Sequence, residues 1–401
     1  MSWSEMSLDQ LGFVSRGRSR HRPRDAAHLY GGQYPFVQTG DVKHAGLYLT
    51  DYSQTYSEEG LAQSKLWPVG TLCITIAANI ADTSILAIDA CFPDSVIGFI
   101  PYPEKADARF IKYLFDAVLK LQYRQFTQGA AQDNLSQAKL LALKFLVPDD
   151  VTEQTRIADF IATYDDLIEN NRRRIQLLEE SARLLYQEWF VHLRFPGHEQ
   201  VKIIDGVPEG WEPTLVPDVI DVNPRTPVEK GKEIWYVPMS SLSETAMTAN
   251  TADFERRTKH TNVKFKKNDV LLARITPCLE NGKTGYAYFL AEDEVACGST
   301  EFIVLRGNRV PSEFVYCLAR SYPFRENAIK SMTGSSGRQR VQNSCFDKYA
   351  VPLPPKSILD EFVQVVQNNF DQVRNLMAQN AKLAQARDLL LPKLMSGELT
   401  V

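Results

Sequence analysis

Residues 149–190 read DDVTEQTRIADFIATYDDLIENNRRRIQLLEESARLLYQEWF. Asp150 and Glu153 stand at capping-box spacing, which starts a helix by satisfying N–H groups that lack an intrahelical partner. From there a stripe steps by four and three through Ile157, Ile161, Tyr164, Ile168, Asn171, Ile175, Leu178, Ala182, Leu185 and Trp189. All but Asn171 are apolar. A seven-residue repeat sustained this long is the seam of a coiled coil, and at about 1.5 Å per residue the predicted helix, 150–195, runs roughly 60 Å. A buried Asn in such a seam costs stability but fixes register, so Asn171 calls for a polar partner opposite.

The same pattern returns 205 residues later in SILDEFVQVVQNNFDQVRNLMAQNAKLAQARDLLLPKLMSGEL, residues 357–399. Its seam is Phe362, Val366, Asn369, Val373, Leu376, Asn380, Leu383, Arg387, Leu390 and Leu394. Pro392 is expected to end or kink this helix, since it lacks an N–H and clashes with the preceding turn. Two apolar stripes of equal length are expected to bury each other as an antiparallel pair. The alternative, each helix packing only on its neighbouring domain, does not demand matched lengths.

The rest of the chain repeats as well. KLWPVGTLCITI (65–76) lies over KFKKNDVLLARI (264–275), with a basic start, a turn at Gly70 or Asp269 and an apolar strand. YPFVQTGDV (34–42) resembles IWYVPMSSL (234–242), ARFIKYLF (108–115) resembles SEFVYCLA (312–319), and TQGAAQDNLS (127–136) resembles MTGSSGRQRV (332–341). FPGHE, GVPEGW and VPLPP supply Pro and Gly breakers at the junctions. The predicted organisation is a β-rich module over 1–147, a helical segment over 148–200, a second module over 201–353 and a second helical segment over 354–401. The fold class is α+β: two similar β-rich α/β domains separated by two long antiparallel helices in a coiled coil, with a pseudo-two-fold internal repeat.

With 401 residues, 44% apolar and 10% aromatic, each module can bury its own core. No apolar run approaches the roughly 18 residues of a membrane span and no leader pattern opens the chain, so a cytoplasmic protein is expected. The six cysteines include no C-x-x-C pair, which argues for buried thiols rather than zinc or disulfides. A net charge of −4 argues against a polycation that coats DNA indiscriminately. Local charge is less even. SRGRSRHRPR (15–24) places Arg16, Arg18, Arg20, Arg22 and Arg24 at every second residue, which in an extended chain aligns them on one side, and RRTKHTNVKFKK (256–267) gathers six cations without an acid.

ITPCLENGKTGYAYF (275–289) ends its central turn in Gly282-Lys283-Thr284, the close of a P-loop motif. Pro277 occupies the place of the first Gly, and GYAYFL reads as strand rather than helix, so a hairpin carrying an exposed Lys283 fits better. Other catalytic patterns fail too. The lone D/E-x-K triplet is Asp41-Val42-Lys43 with no suitable Pro-Asp upstream, there is no Gly-x-Gly, and NPRT (223–226) lacks the second Pro and the aromatic of an amino-methyltransferase, leaving a turn. Neither G-x-S-x-G nor H-E-x-x-H occurs. Catalysis by this polypeptide is not expected.

Two similar but unlike modules on paired helices suit two readers of the major groove, hence a target of two dissimilar short sequences separated by unread base pairs. The order module, helix, module, helix resembles the specificity (S) subunit of type I restriction-modification enzymes. So do YGGQYPFVQTGDV, GVPEGW, LLARITPCLENGKTG, TGSSGRQRV, VPDDVTEQTRIADFI and ARDLLLPKLMSGEL, across essentially the whole chain. The resemblance implies a non-catalytic DNA-recognition subunit with two target-recognition domains and two conserved-region helices. It implies double-stranded DNA, two methyltransferase (M) subunits and two restriction-translocase (R) subunits as partners, with S-adenosylmethionine, ATP and Mg carried by those partners and no cofactor in this chain. Two rival readings remain: a coiled-coil adaptor that does not bind DNA, and a self-contained methyltransferase or nuclease with unrecognised motifs.

Arg suits bidentate contact with guanine, Asn or Gln with adenine, and Lys contact with phosphate. On that chemistry the DNA-facing candidates are Arg16, Arg18, Arg20, Arg22, Gln132 and Asn134 in the first module, and Lys259, His260, Arg274, Lys283, Arg338 and Arg340 in the second. Trp189, Phe190 and Phe195 exceed what one seam uses, and either pack on the adjacent module or dock a partner.

Overall fold

The computed structural model describes residues 2–77, 80–119, 135–335 and 337–401. The chain divides into two compact units, residues 1–170 with 379–401, and residues 171–378. The helices that matter below are α1 (Ala108–Leu114), α2 (Val151–Tyr186), α3 (Ser312–Arg320), α4 (Tyr322–Lys330) and α5 (Lys356–Met395). Each unit holds part of α2 and part of α5.

The strands of the first unit are β1 (Trp3–Met6), β2 (Gly12–Arg16), β3 (Tyr30–Phe36), β4 (Tyr48–Leu49), β5 (Gln54–Tyr56), β6 (Leu66–Trp67), β7 (Leu72–Thr75), β8 (Thr83–Leu86), β9 (Ala90–Cys91), β10 (Val96–Pro101) and β11 (Phe145–Pro148). One sheet has the order β2-β10-β7-β8-β4, a second β5-β3-β9-β6, and β1 pairs with β11. β7 (LCIT) and β8 (TSIL) are buried at every position, as strands covered on both faces are. Asp107 caps α1 by accepting from the Arg109 N–H, and α1 lays Phe110, Ile111 and Leu114 into the core.

The second unit contains β12 (Ile203–Ile204), β13 (Val207–Pro208), β14 (Ile220–Val222), β15 (Ile234–Val237), β16 (Glu255–Arg257), β17 (Val263–Lys266), β18 (Val270–Ala273), β19 (Thr284–Tyr286), β20 (Val295–Gly298) and β21 (Phe302–Gly307). Its two main sheets run β14-β21-β18-β19 and β16-β15-β20-β17. Strand for strand this is the order of the first unit without β4. The directions agree as well: β3 is parallel to β9 and antiparallel to β5, just as β15 is parallel to β20 and antiparallel to β16. The aligned stretches 65–76 and 264–275 carry β6–β7 and β17–β18, and 108–115 and 312–319 carry α1 and α3.

All twenty seam positions read from the heptads are buried or half-buried. Within the first unit, Asn380 Nδ2 donates to the Ile168 carbonyl at 3.3 Å and Arg387 pairs with Asp165, while Ile157, Ile161 and Leu394 enter the same core. Within the second, Asn369 Nδ2 donates to the Leu178 carbonyl at 3.3 Å and the Tyr186 and Phe362 rings lie 6.3 Å apart. Residue numbers on α5 fall as those on α2 rise, so the two helices meet in opposite directions in both units. Asn171 is buried, and the seam asparagines of α5 find backbone carbonyls as partners.

Three expectations need correction. Pro392 does not end α5 at its own position: the helix runs three residues further, to Met395, with the lost N–H in the final turn and Leu394 and Met395 buried beyond it. Glu153 does not reach back to close a capping box but pairs with Arg156, and Asp150 alone caps α2 by accepting from the Thr152 N–H. α2 ends at Tyr186 rather than near 195, passing into a wide turn at Gln187–Val191 and leaving through Leu193 at φ +59°.

Candidate nucleic-acid interface

In the first unit the arginine run begins at the end of β2. Arg16, Arg18, Arg20 and Arg22 are exposed while Gly17 and Ser19 between them are buried, so the alternation holds that far. Arg16 Nε donates to the Asp94 carbonyl at 2.8 Å, and Arg22 Nη1 turns back onto the carbonyls of Ser19 and His21. Arg24 leaves the row: beyond a turn it forms a two-pronged contact with the Asp94 carboxylate at 2.8 and 2.9 Å. Beside the run, Lys65 sits 3.6 Å from the Trp67 ring centre and 4.7 Å from that of Phe13. Burial, with the positive charge of Arg18, pulls Lys65 below the ordinary lysine value. Gln132 and Asn134 lie outside the described residues.

The candidates of the second unit fall on two separate sheets. Arg274, Lys283, Arg338 and Arg340 gather where β18 ends. Ile275 bridges to Arg340, the Val341 N–H donates to Arg274 O, and the Ala273 N–H donates to Lys283 O. Arg340 grips Glu301 through Nε and Nη2 at 2.8–3.0 Å, and Arg274 Nη2 donates to Val341 O at 3.3 Å. Arg338 is exposed. Lys283 is not the exposed cation expected: it is half-buried, and its Nζ donates to Met239 O at 3.3 Å.

The turn that carries Lys283 joins β18 to β19 as a hairpin, the structure anticipated in place of a P-loop. Gly282 is glycine for a backbone reason. Its φ is +90°, and a Cβ there would stand 2.9 Å from Glu244 O. Arg320, 7% exposed, holds the turn from beneath by donating to the carbonyls of Glu244, Thr245 and Gly282, and Arg325 donates to Glu280 O. Neither arginine stood out in the sequence, because the carbonyls they serve lie 38 to 76 residues away.

Lys259 and His260 follow β16 on the other sheet, His260 facing Lys232 O at 3.1 Å. The chemistry missed here is on β16 itself. Arg256 lies 3.8 Å over the Trp235 ring and Arg257 3.4 Å over Tyr236. Stacking presents the edge of a guanidinium in a fixed plane, the geometry that matches phosphate or a guanine edge. Arg257 also bonds Glu255, whereas Arg256 has only Glu294 at 3.9 Å. Cross-strand pairing of Trp235 with Arg256 creates the stack, and no local sequence pattern announces it.

Trp189 and Phe190 pack on Phe362 at 6.0 and 5.0 Å, Phe190 on Phe314 at 4.9 Å, and Phe195 on Trp211 at 5.1 Å, so these aromatics belong to the core of the second unit. NPRT is the turn expected: Asn223, at φ +53°, follows β14, and its backbone N–H and side-chain oxygen both bond Val304.

The profile of the type I restriction modification DNA specificity domain matches residues 2–180 and again 208–383. The chain belongs to this family. It is 23% identical to the type I restriction enzyme MjaIX specificity subunit of Methanocaldococcus jannaschii over 100% of this chain and 94% of that one. It is 22% identical to the HindI specificity subunit of Haemophilus influenzae over 99% of both. Against the EcoEI specificity subunit of Escherichia coli, identity reaches 31% over 38% of this chain and 26% of the relative. The crystal structure of the type I S subunit from M. genitalium shares the fold, with a TM-score of 0.55 and 14% identity over 98% of this chain and 96% of that one. As a specificity-family chain it is a DNA-recognition subunit built from two specificity domains. Among the described residues no helix is long and apolar enough to cross a membrane.

Proposed function

We propose that this specificity chain reads an asymmetric bipartite DNA target, one module per half-site, and docks two methyltransferase and two restriction-translocase subunits that bring S-adenosylmethionine, ATP and Mg to a cytoplasmic complex. The observation that carries the proposal is the twofold occurrence of one strand order with unlike basic surfaces: an alternating arginine run in one module, an arginine–aromatic ladder in the other. Shared order gives both modules the same way of presenting side chains, and unlike side chains give each its own bases.

The modules are taken as 1–147 and 201–353 and the helical segments as 148–200 and 354–401, with α2 and α5 as an antiparallel coiled coil whose length sets the unread gap and whose pairing gives a pseudo-two-fold repeat. The contacts of Asn380 with Ile168 and of Asn369 with Leu178 support that pairing. Among the candidate contacts, Arg16, Arg18, Arg20 and Arg22 serve the first half-site. Lys259 and the stacked Arg256 on one sheet, and Arg338 with Arg274 and Arg340 at the end of β18, serve the second. Lys283 acts by shaping its hairpin.

Hydroxyl-radical footprinting of the chain assembled with its methyltransferase partner tests the reading. Two protected patches separated by cleavable base pairs are expected, with affinity falling steeply as salt rises. One continuous patch would contradict a bipartite reader, and absence of salt-dependent binding would leave the adaptor reading in its place.

A further inference from the structure

In the second module, strand register sets Glu255, Tyr236, Cys297 and Lys264 side by side across β16, β15, β20 and β17. Alternation along a strand adds Arg257 and Lys266, each two residues on, to the same face. Trp235, Phe265 and Ala296 belong to the opposite face, which packs on the core. Arg257 lies 3.4 Å over the Tyr236 ring and is held by Glu255 at 2.6 Å. Its neighbour Arg256 lies over Trp235, so the edge strand β16 carries a cation on both sides. Cys297 is buried beneath this layer: burial pushes its thiol up while the charges of Arg257 and Lys264 pull it down, so both cations stand around it. Among the described residues neither Lys264 nor Lys266 has a carboxylate partner.

The matching row of the first module is Gln54, Phe36, Cys91 and Leu66. There the face is roofed. Phe36, Tyr56 and Cys91 close into a cluster with Leu29, and Leu61 of the short helix Glu58–Ala62 packs on it. The arginine run is tied to this roof: the Arg20 and His21 N–H groups donate to Gln63 Oε1, Ser64 Oγ donates to the Arg18 carbonyl at 2.8 Å, and Ser19 Oγ lies 3.5 Å from the Tyr56 hydroxyl. The first module thus carries its arginines one layer above the face on which the second carries Arg257, Lys264 and Lys266 directly. Positive charge stands at the corresponding place in both, by unlike construction.

We propose that the outer face of the sheet β16-β15-β20-β17 seats the DNA backbone of the half-site that the second module reads, with Lys264 and Lys266 on phosphates and Arg257 in a fixed plane beside them. The inference rests on the reading of this chain as a bipartite DNA reader. It is the charge that selects the occupant: three cations against the one carboxylate of Glu255, which is already engaged by Arg257, complement a polyanion.

The chain assembled with its methyltransferase partner, and a duplex carrying its methylation-mapped target, provide the test. The double variant Lys264→Gln/Lys266→Gln is expected to bind at least tenfold more weakly, with the slope of log affinity against log salt lowered by about 2. Hydroxyl-radical protection should fade over one half-site and persist over the other. Arg374→Gln, at an exposed arginine of α5, is expected to change neither. If the double variant fails to fold, acetylation of the wild-type complex decides: DNA is expected to slow modification of Lys264 and Lys266 but not of the exposed Lys330 on α4. Protection of the two lysines before DNA is added would show that a protein surface covers the face, and overturns the proposal. Two protected patches on DNA with Lys264 and Lys266 still freely acetylated, or with the double variant binding as wild type does, refute it and leave the bipartite reading standing. No salt-dependent binding by the wild-type complex removes both.

Discussion

The two modules share one strand order, and the turn into each central hairpin shows what differs between them. In the first module the turn before β7 rests on Gly70 at φ +84°, with Asp89 accepting from the Val69 N–H. At the matching place before β18, the second module has Asn268 at φ +65° and then Asp269, whose carboxylate is 1% exposed and grips Arg306 through two contacts of 2.7 Å. Both turns carry a residue in the left-handed region, and the second adds a buried ion pair. The core shows a similar exchange. Gly98 in β10 makes room for the Trp67 ring, which would lie 2.5 Å from a Cβ there. In the second module the buried Phe265 stands opposite Ala296 as Trp67 stands opposite Ala90, and Val304 fills the cross-strand place that Gly98 holds in the first. Strand order thus survives exchange of individual residues that support it, such as Trp67 for Phe265 and Gly98 for Val304, which leaves the surfaces free to diverge.

The contrast is sharpest at Asp269. Asp269→Ala leaves the Arg306 guanidinium without its partner in a half-buried site and is expected to cost about 3–5 kcal/mol, against about 1–2 kcal/mol for Gly70→Ala, which only forces a side chain into the left-handed region. Urea denaturation of both variants measures the difference. Equal costs would mean that the two turns are not built as differently as their chemistry indicates.

A second asymmetry is Glu179, whose counterpart 205 residues on is Ala384. Burial pushes Glu179 up to about 7 against hydrogen bonds from Met247 and Tyr316 that favour its charged form. Because its folded value lies above the ordinary 4.5, the stability it contributes is fully present below about pH 4.5 and is lost as pH rises through about 7. At about 1.4 kcal/mol per unit the loss is on the order of 3 kcal/mol, and Glu179→Gln should remove that slope while keeping an acceptor for the Met247 N–H. Unfolding free energies of wild type and variant, compared from pH 5 to 8, are expected to diverge as pH rises. A pH-independent gap would show that Glu179 does not titrate in this range.

The smallest effect on stability is expected at Arg256→Ala, about 0.5–1 kcal/mol for an exposed cation–aromatic stack. Its effect on DNA should be larger than its effect on folding: the slope of log affinity against log salt should fall by about 1 if Arg256 neutralises a phosphate. An unchanged slope would remove Arg256 from the interface.

What could be read in the sequence follows from how far each feature's cause extends along the chain. The helical seams were legible because a 4-3 stripe records burial at every turn, and the same positions are buried or half-buried in the fold. The doubled architecture was legible because turn-plus-strand patterns such as 65–76 and 264–275 recur in order. Pro392 does not stop α5 at once because it falls in the final turn, where Leu394 and Met395 are buried. Lys283 is half-buried rather than exposed because its acceptor is Met239, 44 residues away, and Arg320 was invisible because its carbonyl partners lie 38, 75 and 76 residues away. The Arg256 stack depends on the register of β15 with β16, which alternation alone does not specify. No spacing rule separates an arginine that reads DNA from one that braces a turn.

The central claim is that two modules of one design read two unlike half-sites independently. Replacing residues 1–147 with the matching module of a relative, assembling the chimaera with the methyltransferase partner and mapping methylated positions across a genome tests it directly. One half of the recognised sequence is expected to change while the other half and the gap stay as they were; a change in both halves would contradict the claim.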